Sequence, residues 1–357
     1  MATVAAPHWH KARIRRSLTN GPGIHRVRRG RGFAYLDEEG ERVEEPELLA
    51  RIDELVIPPA WKDVWISPYP GGHIQATGID EAGRKQYLYH PKWRESRDRA
   101  KFDDMVEFAR ALPALRERVE EDLRRDDLSA AHVLATATRL LDRGFFRIGS
   151  EDYAVTNESY GLATIQKRHV RIQGDRIVFD YPAKSNKRRI QSVVDPEVSA
   201  VIEALKKRRG GGPELLAYKR DRRWVDLRSP EINAYLKEAT GLDISAKDFR
   251  TWGATVLAAI ALAVAAPNVT TATASKRAMT RAIKEVAHYL GNTPAVARAS
   301  YIDPRVFDAF QAGRTVGLVF DDIGDDEEMT AIQGPAEEAV LDLLEGVRSS
   351  EYIEKIT

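Results

Sequence analysis

Lys247-Asp248-Phe249-Arg250-Thr251-Trp252-Gly253 sets one arginine between two aromatic residues at the head of an apolar run, 254–267. The run is too short to span a bilayer and is broken by Pro267, so it reads as part of a buried helix over 246–264. A guanidinium beside such a helix needs a partner or faces a cleft. Three further islands flank it in sequence. Phe146-Arg147-Ile148-Gly149 and Ala183-Lys184-Ser185-Asn186-Lys187 come before it. Gly291-Asn292-Thr293-Pro294 follows, with Ser300-Tyr301 behind. In chain order the set offers an arginine, a lysine, a second arginine, an amide and a tyrosine. Together these groups can attack a phosphodiester with a tyrosine hydroxyl and no metal.

Taken singly, each residue also has an ordinary structural reading. Arg147 could pair with Glu151 or Asp152, and Arg250 with Asp248. Lys184 could be a solvated turn residue. Asn292 could cap the helix that begins near Pro294, and Tyr301 could be a half-buried core tyrosine. The chemical readings stand beside these. A phenol with a pKa of about 10 is a poor nucleophile unless nearby cations help its negative charge. A lysine with a pKa of about 10.4 suits proton donation to a departing alkoxide. An amide can donate an N–H to a phosphoryl oxygen, and which way Asn292 points is not visible in sequence.

The length of 357 residues suits two domains. Hydrophobic content of 43% with 31% charged residues fits a soluble chain with a real core. The absence of cysteine excludes a disulfide scaffold, cysteine catalysis and thiolate metal sites, and it fits the cytoplasm. The basic N-terminus lacks the apolar run of a signal peptide. No Walker A loop, dinucleotide fingerprint or His-Glu-x-x-His is present. The net charge of +1 conceals segregation. Residues 1–36 hold eight Lys or Arg and no acid, whereas 318–357 hold twelve Asp or Glu and only two bases. Such segregation suits a polyanion partner as well as it suits a solvated arm and tail. The acids at 321–322 and 325–328 can be imagined as a magnesium site, but a run of like charges reads as a linker.

Four segments follow from texture: an irregular basic arm over 1–22, a mostly β domain over 23–92, a mainly helical domain over 93–320, and an acidic linker with a final helix over 321–357. Within the β domain, 33–36, 65–67 and 86–90 read as strands and 46–54 as a helix. Helical periodicity then covers 101–112, 113–124 and 129–145. A β insert follows, with strands at 169–172, 177–181 and 189–194; its turns fall at 174–175 and 183–187. Helices resume over 196–208, 229–240, 246–264, 275–290, 294–301 and 336–347. The fold class is therefore α+β. In the β domain, Arg84-Lys85-Gln86-Tyr87-Leu88-Tyr89 interleaves basic and aromatic residues, with Tyr87 and Tyr89 on one strand face. That pattern suits a reader of the DNA major groove, or an ordinary sheet face with a basic edge.

The ordered islands resemble those of the type IB DNA topoisomerases, in the compact bacterial and poxvirus-like class. The resemblance runs from about Arg26 to Phe320 and includes Leu55-Val56-Ile57-Pro58-Pro59-Ala60-Trp61 and 83–89. It implies a small β domain and a larger helical catalytic domain with a β insert. It implies a catalytic set of Arg147, Lys184, Arg250, Asn292 and Tyr301, with Asn292 where the family usually has histidine. It further implies DNA contacts at Gln86, Tyr87, Tyr89 and Lys247; Arg84 and Lys85 fall near phosphate reach of the same strand, and Tyr153 is expected among the DNA-binding residues. The expected activity is relaxation of supercoiled duplex DNA through a 3′-phosphotyrosyl intermediate, with no cofactor, no ATP and no metal. The expected enzyme is a monomeric clamp on duplex DNA, cytoplasmic and associated with the nucleoid, with no membrane partner. A tyrosine recombinase or integrase would share the arginines and the tyrosine, and a DNA-binding protein without catalysis would share the basic surfaces.

Overall fold

The computed structural model describes residues 11–149, 154, 158–184, 187–317, 333–347 and 349–355. The chain divides into two compact units, Met1–Lys101 and Phe102–Thr357. The first is built on five antiparallel strands, β1 (Ile24–Arg29), β2 (Gly32–Leu36), β3 (Lys62–Ile66), β4 (Ile74–Ile79) and β5 (Lys85–Tyr89), in the order β2-β1-β3-β4-β5. Helix α1 (Pro46–Glu54) starts on a proline, carries Glu47 in its first turn and Arg51 in its last, and so suits its own dipole. Its Ile52 joins Ile24, Val64, Ile66 and Ala76 in a small core.

Two arginines of this unit serve the fold. Buried Arg51 donates to Gln75 Oε1 and the Ser67 carbonyl, both at 2.6 Å. Arg26 donates to the carbonyls of Ile57, Pro58 and Trp61 at 3.2, 3.0 and 2.8 Å, which holds the proline loop against the sheet. The described part of the basic arm is irregular yet packed. Arg15 N donates to the Gly71 carbonyl at 2.8 Å, and Ser17 N donates to His73 Nδ1 at 2.8 Å.

Helix α2 (Pro91–Leu123) leads from the first unit into the second. The sequence suggests two helices meeting at Pro113, but the structure keeps one. Pro113 is exposed, while Phe108, Leu112, Leu115 and Val119 form a buried stripe across it. Burying those four side chains, at roughly 1.5–3 kcal/mol each, exceeds the roughly 3 kcal/mol that a proline costs inside a helix.

The second unit continues with α3 (Ala130–Gly144) and a three-stranded antiparallel sheet, β6 (Val170–Gln173), β7 (Arg176–Ala183) and β8 (Lys187–Val194), with β7 central. Helix α4 (Pro196–Lys207) is capped by Asp195, which accepts from Val198 N at 3.0 Å. A short hairpin, β9 (Ala217–Arg220) and β10 (Arg223–Asp226), was not legible in sequence. Its turn residues Asp221 and Arg222 hold φ of 48° and 63° without a glycine to announce it. Then come α5 (Ser229–Thr240), α6 (Ala246–Ala265), α7 (Ala272–Leu290), α8 (Pro294–Ser300), α9 (Pro304–Gln311), β11 (Arg314–Thr315), α10 (Pro335–Glu345) and β12 (Glu354–Lys355), the last paired with β11. The short helix α9, capped by Asp303, was also not anticipated.

Helix α6 runs through the core of this unit, burying Phe249, Trp252, Val256 and Leu262 among many alanines. Ala246–Asn268 is apolar and long enough, by length and composition, to cross a membrane, but most of it is buried inside the unit. A core helix meets the same test, and the sequence reading of a buried helix matches that placement. A small sheet unit followed by a larger helical unit with a β insert is the α+β arrangement expected.

Candidate active site

Four segments that are distant in sequence meet at the C-terminal end of α7. The first is 145–149. Helix α3 stops at Gly144, and Phe145 takes a left-handed conformation, φ 51°. Phe146 is fully buried, edge-on to Phe179 at 4.8 Å. The next turn is held by backbone pairing, Leu162 N to the Arg147 carbonyl and Ala163 N to the Ile148 carbonyl, both 2.8 Å. Gly149 is required here. Its φ is +79°, and a Cβ on it would lie 2.8 Å from Gly161 Cα. Gly253 has a similar purpose on α6, where a Cβ would meet the Phe145 ring at 2.7 Å.

Helix α7 ends on Gly291, φ 62°, leaving carbonyls that carry partial negative charge. Three guanidiniums converge on them. Arg147 Nη2 donates to the Gly291 carbonyl at 3.1 Å, and Arg250 Nη2 to that of Leu290 at 2.9 Å. Arg189 Nη1 donates to the His288 carbonyl at 3.3 Å, and its Nη2 donates to Tyr289. Arg250 also donates to the Phe145 carbonyl, so the left-handed residue after α3 holds the second arginine.

Arg189 was missed in sequence because it sits in the run Lys187-Arg188-Arg189, which looks like a charged strand edge. Strand alternation was the available signal. It puts Arg189 on the face of Gln191 and Val193, where Arg189 Nε donates to Gln191 Oε1 at 2.7 Å and Gln191 Nε2 donates to the Gly144 carbonyl at 3.0 Å.

Asn292 is oriented by this cluster. Arg147 Nη2 donates to Asn292 Oδ1. A guanidinium has donors only, so the amide must present its oxygen to it. Asn292 Nδ2 is left buried with no hydrogen-bond partner. The capping role open to Asn292 in sequence belongs to Thr293, whose Oγ1 accepts from Val296 N at 3.3 Å.

Tyr301, at the end of α8, is half-buried. The Arg250 guanidinium carbon lies 5.3 Å from its ring centre and Lys247 Nζ 5.9 Å. Burial pushes the phenol's pKa up. The charges of Arg250 and Lys247, a hydrogen bond with Arg250 and the charge of Arg147 together outweigh burial, so the pKa lies below its ordinary 10. Arg250 is lowered from its usual value by burial first and by Arg147 second, with Tyr301 opposing.

Among the described residues, Arg147, Lys184, Arg189, Lys247 and Arg250 make no ion pair. The carboxylate that sequence offered to Arg250 is used elsewhere: Asp248 Oδ2 accepts from Ser245 N and Oγ at 2.8 and 3.0 Å, capping α6. Glu151 and Asp152, offered to Arg147, lie outside the described residues. Besides Asn292 Nδ2, Arg250 Nε is buried without a partner. Among the described residues, then, these cations meet no carboxylate and lie beside two unsatisfied buried donors, an arrangement suited to an oxyanion.

The other expected site residues fall in different places. Lys184 is exposed at the turn between β7 and β8, a hairpin that Arg189 ties to α7. Tyr153 lies outside the described residues, as do Ser185, Asn186 and the acids at 321–328. In the first unit, Lys85, Tyr87 and Tyr89 share the exposed face of edge strand β5, with the two tyrosine rings stacked at 6.0 Å. Gln86 lies on the opposite face of β5 and donates to Asp80 Oδ2 at 2.9 Å, and Arg84 pairs with the same carboxylate at 2.9 Å. Among the described residues no group of three or more His, Asp or Glu side chains could hold a metal ion.

Comparison with known proteins gives concordant results. Residues 90–312 match the family described as the catalytic core of eukaryotic DNA topoisomerase I, and residues 32–80 match the N-terminal domain of bacterial DNA topoisomerase IB. The chain is similar to DNA topoisomerase 1B of Acanthamoeba polyphaga mimivirus, 28% identical over 296 residues, which is 81% of this chain and 88% of the viral one. DNA topoisomerase I of monkeypox virus and DNA topoisomerase 1B of vaccinia virus (strain Copenhagen) are each 22% identical over 226 residues, 63% of this chain and 69% of theirs.

Proposed function

We propose that this chain, which belongs to the type IB DNA topoisomerases, relaxes supercoiled duplex DNA by a metal-independent and ATP-independent cycle of strand cleavage and resealing at Tyr301. In the forward step the Tyr301 phenol gives its proton to solvent water and its oxygen attacks a backbone phosphorus. The bond from phosphorus to the 5′-oxygen breaks, and that oxygen takes up a proton from Lys184. The product is a 3′-phosphotyrosyl link and a free 5′-hydroxyl. The cut strand rotates, and the hydroxyl attacks back with the same groups in reverse roles. The phosphodiester energy is conserved in the covalent link, so the cycle draws on no ATP.

The observation that carries this reading is the set of donors in the Arg147–Arg250 cluster that meet no acid among the described residues. Asn292 Nδ2 and Arg250 Nε are buried and unpaired, and Arg147 and Arg250 rest on helix carbonyls rather than carboxylates. Donors fixed where charge develops on a phosphoryl group do the work that metal ions do elsewhere. Arginines in such positions are worth roughly 10³–10⁵ in rate in other phosphoryl-transfer enzymes. The exposed face of Lys85, Tyr87 and Tyr89 supports duplex binding by the first unit, in a monomer that holds DNA with both units.

The test is relaxation of a supercoiled plasmid with excess EDTA and no ATP, wild type beside Tyr301→Phe. Relaxation by wild type alone is the expected result. No relaxation by folded, DNA-binding wild type would overturn the reading.

A further inference from the structure

Glu337 is an acid held inside the fold behind the site, and the chemistry above makes no use of it. It lies in the first turn of α10, beyond both family matches. Its Oε1 accepts from Trp252 Nε1 at 2.7 Å and from Arg116 Nη2 at 3.0 Å, and its Oε2 accepts from Arg116 Nη1 at 2.6 Å. Arg116 in turn grips Asp142 with Nε and Nη2 at 2.9 and 3.0 Å.

The two far ends of this chain of contacts reach the site. Trp252 follows Arg250 by two residues on α6. Asp142 precedes Phe145 by three residues, and the Phe145 carbonyl accepts from Arg250. The contacts therefore form a closed ring: Arg250, Phe145, Asp142, Arg116, Glu337, Trp252 and back along α6 to Arg250. A cavity of about 30 Å³ lies beside the ring, lined by Asp142, Phe145, Trp252 and Glu337 among others.

We propose that Glu337 is a positioning residue for strand cleavage, and that α10 thereby sets the placement of Arg250 against Tyr301. The inference rests on the cleavage chemistry proposed above. Without the Glu337 carboxylate, Trp252 Nε1 and Arg116 Nη1 lose their acceptor in a largely buried place, and the end of α3 is no longer tied to α6 through α10. A displacement of about 1 Å in a catalytic group can cost about 100-fold in rate. The loss falls on the chemical step, because the exposed DNA-facing residues are untouched.

The experiment uses the full chain with Glu337→Ala, Glu337→Gln and Trp252→Phe. It measures the single-turnover rate of covalent adduct formation on a nicked-end duplex, the duplex affinity in a Tyr301→Phe background, and the thermal midpoint. We expect Glu337→Ala to slow cleavage about 100-fold with affinity within about threefold. Glu337→Gln keeps one acceptor oxygen for Trp252 and should fall between it and wild type.

A second readout separates positioning from mere loss of stability. Tyr301 is faced by Arg250 and Lys247 from α6 and by Arg147 from the segment after α3, and these charges lower its pKa. If Arg250 withdraws, the phenolate-dependent limb, along which the rate rises with pH, should move to higher pH in Glu337→Ala and in Trp252→Phe. The proposal is overturned if folded variants cleave at the wild-type rate with an unmoved pH limb. It is equally overturned if the loss disappears on cooling well below the thermal midpoint. Should Glu337→Ala not fold, the other two variants decide. Failure of wild type to form any adduct would instead strike the proposed function.

Discussion

Replacing Asn292 probes the site at the buried amide beside Arg147. The amide is held by Arg147 through Oδ1, and its Nδ2 is a buried donor without a partner. On the proposed chemistry, truncation to alanine removes one donor to the developing oxyanion, an effect of about 2.7–4 kcal/mol, or about 10²–10³ in rate. Arg147 keeps the Gly291 carbonyl at 3.1 Å, so it should stay near its place and DNA affinity should change little. Asn292→Asp should be worse. Its carboxylate would pair with Arg147, neutralise that charge and repel the phosphate, so the arginine's contribution of roughly 10³ or more is added to the loss.

Asn292→His should restore a donor at the cost of a new titration. Wild type has an amide there, whereas the variant should gain a limb in its rate profile near pH 6.5. The assay is the single-turnover yield of protein–DNA adduct on a denaturing gel from pH 5.5 to 8.5. Alanine cleaving within threefold of wild type would refute the donor role. Aspartate as active as wild type would refute the orientation, because no carboxylate could take that place without capturing Arg147.

Three further outcomes follow from the same geometry. Lys247→Met removes a cation 5.9 Å from the Tyr301 ring that lowers the phenol's pKa. The phenol should therefore titrate higher, the phenolate-dependent limb should shift to higher pH, and cleavage at pH 7.5 should fall while its rate at high pH recovers; difference absorbance against Tyr301→Phe and rate profiles check this. Arg189→Ala frees the carbonyls of His288 and Tyr289 and loosens the β7–β8 hairpin that carries Lys184, so cleavage should slow by about tenfold or more with the thermal midpoint little changed, and an unaltered rate would make Arg189 ornamental. Gly149→Ala forces a left-handed alanine whose Cβ sits 2.8 Å from Gly161 Cα, which should cost about 2 kcal/mol or more in denaturant unfolding; stability equal to wild type would count against the tight turn.

The sequence by itself determined which reactive residue types are offered, and in what order. Arg147, Lys184, Arg250, Asn292 and Tyr301 stand in motifs short enough to read, and the helix bounds of α1, α5 and α6 follow from proline or serine starts and apolar periodicity. Such signals are local: they depend on residues within a turn or two of one another. Only the tertiary structure decided who holds whom. Arg147 meets Gly291 and Asn292 across more than 140 residues, and Arg250 meets Phe145 across 105. Asp248, the nearest acid to Arg250 in sequence, turned out to cap its helix. Arg189 entered the site because strand alternation turned it inward, and Glu337 reached Trp252 because α10 folds back on α6. A guanidinium's partner is set by whichever carbonyl the packed helices bring within about 3 Å, and no spacing along the chain encodes that distance.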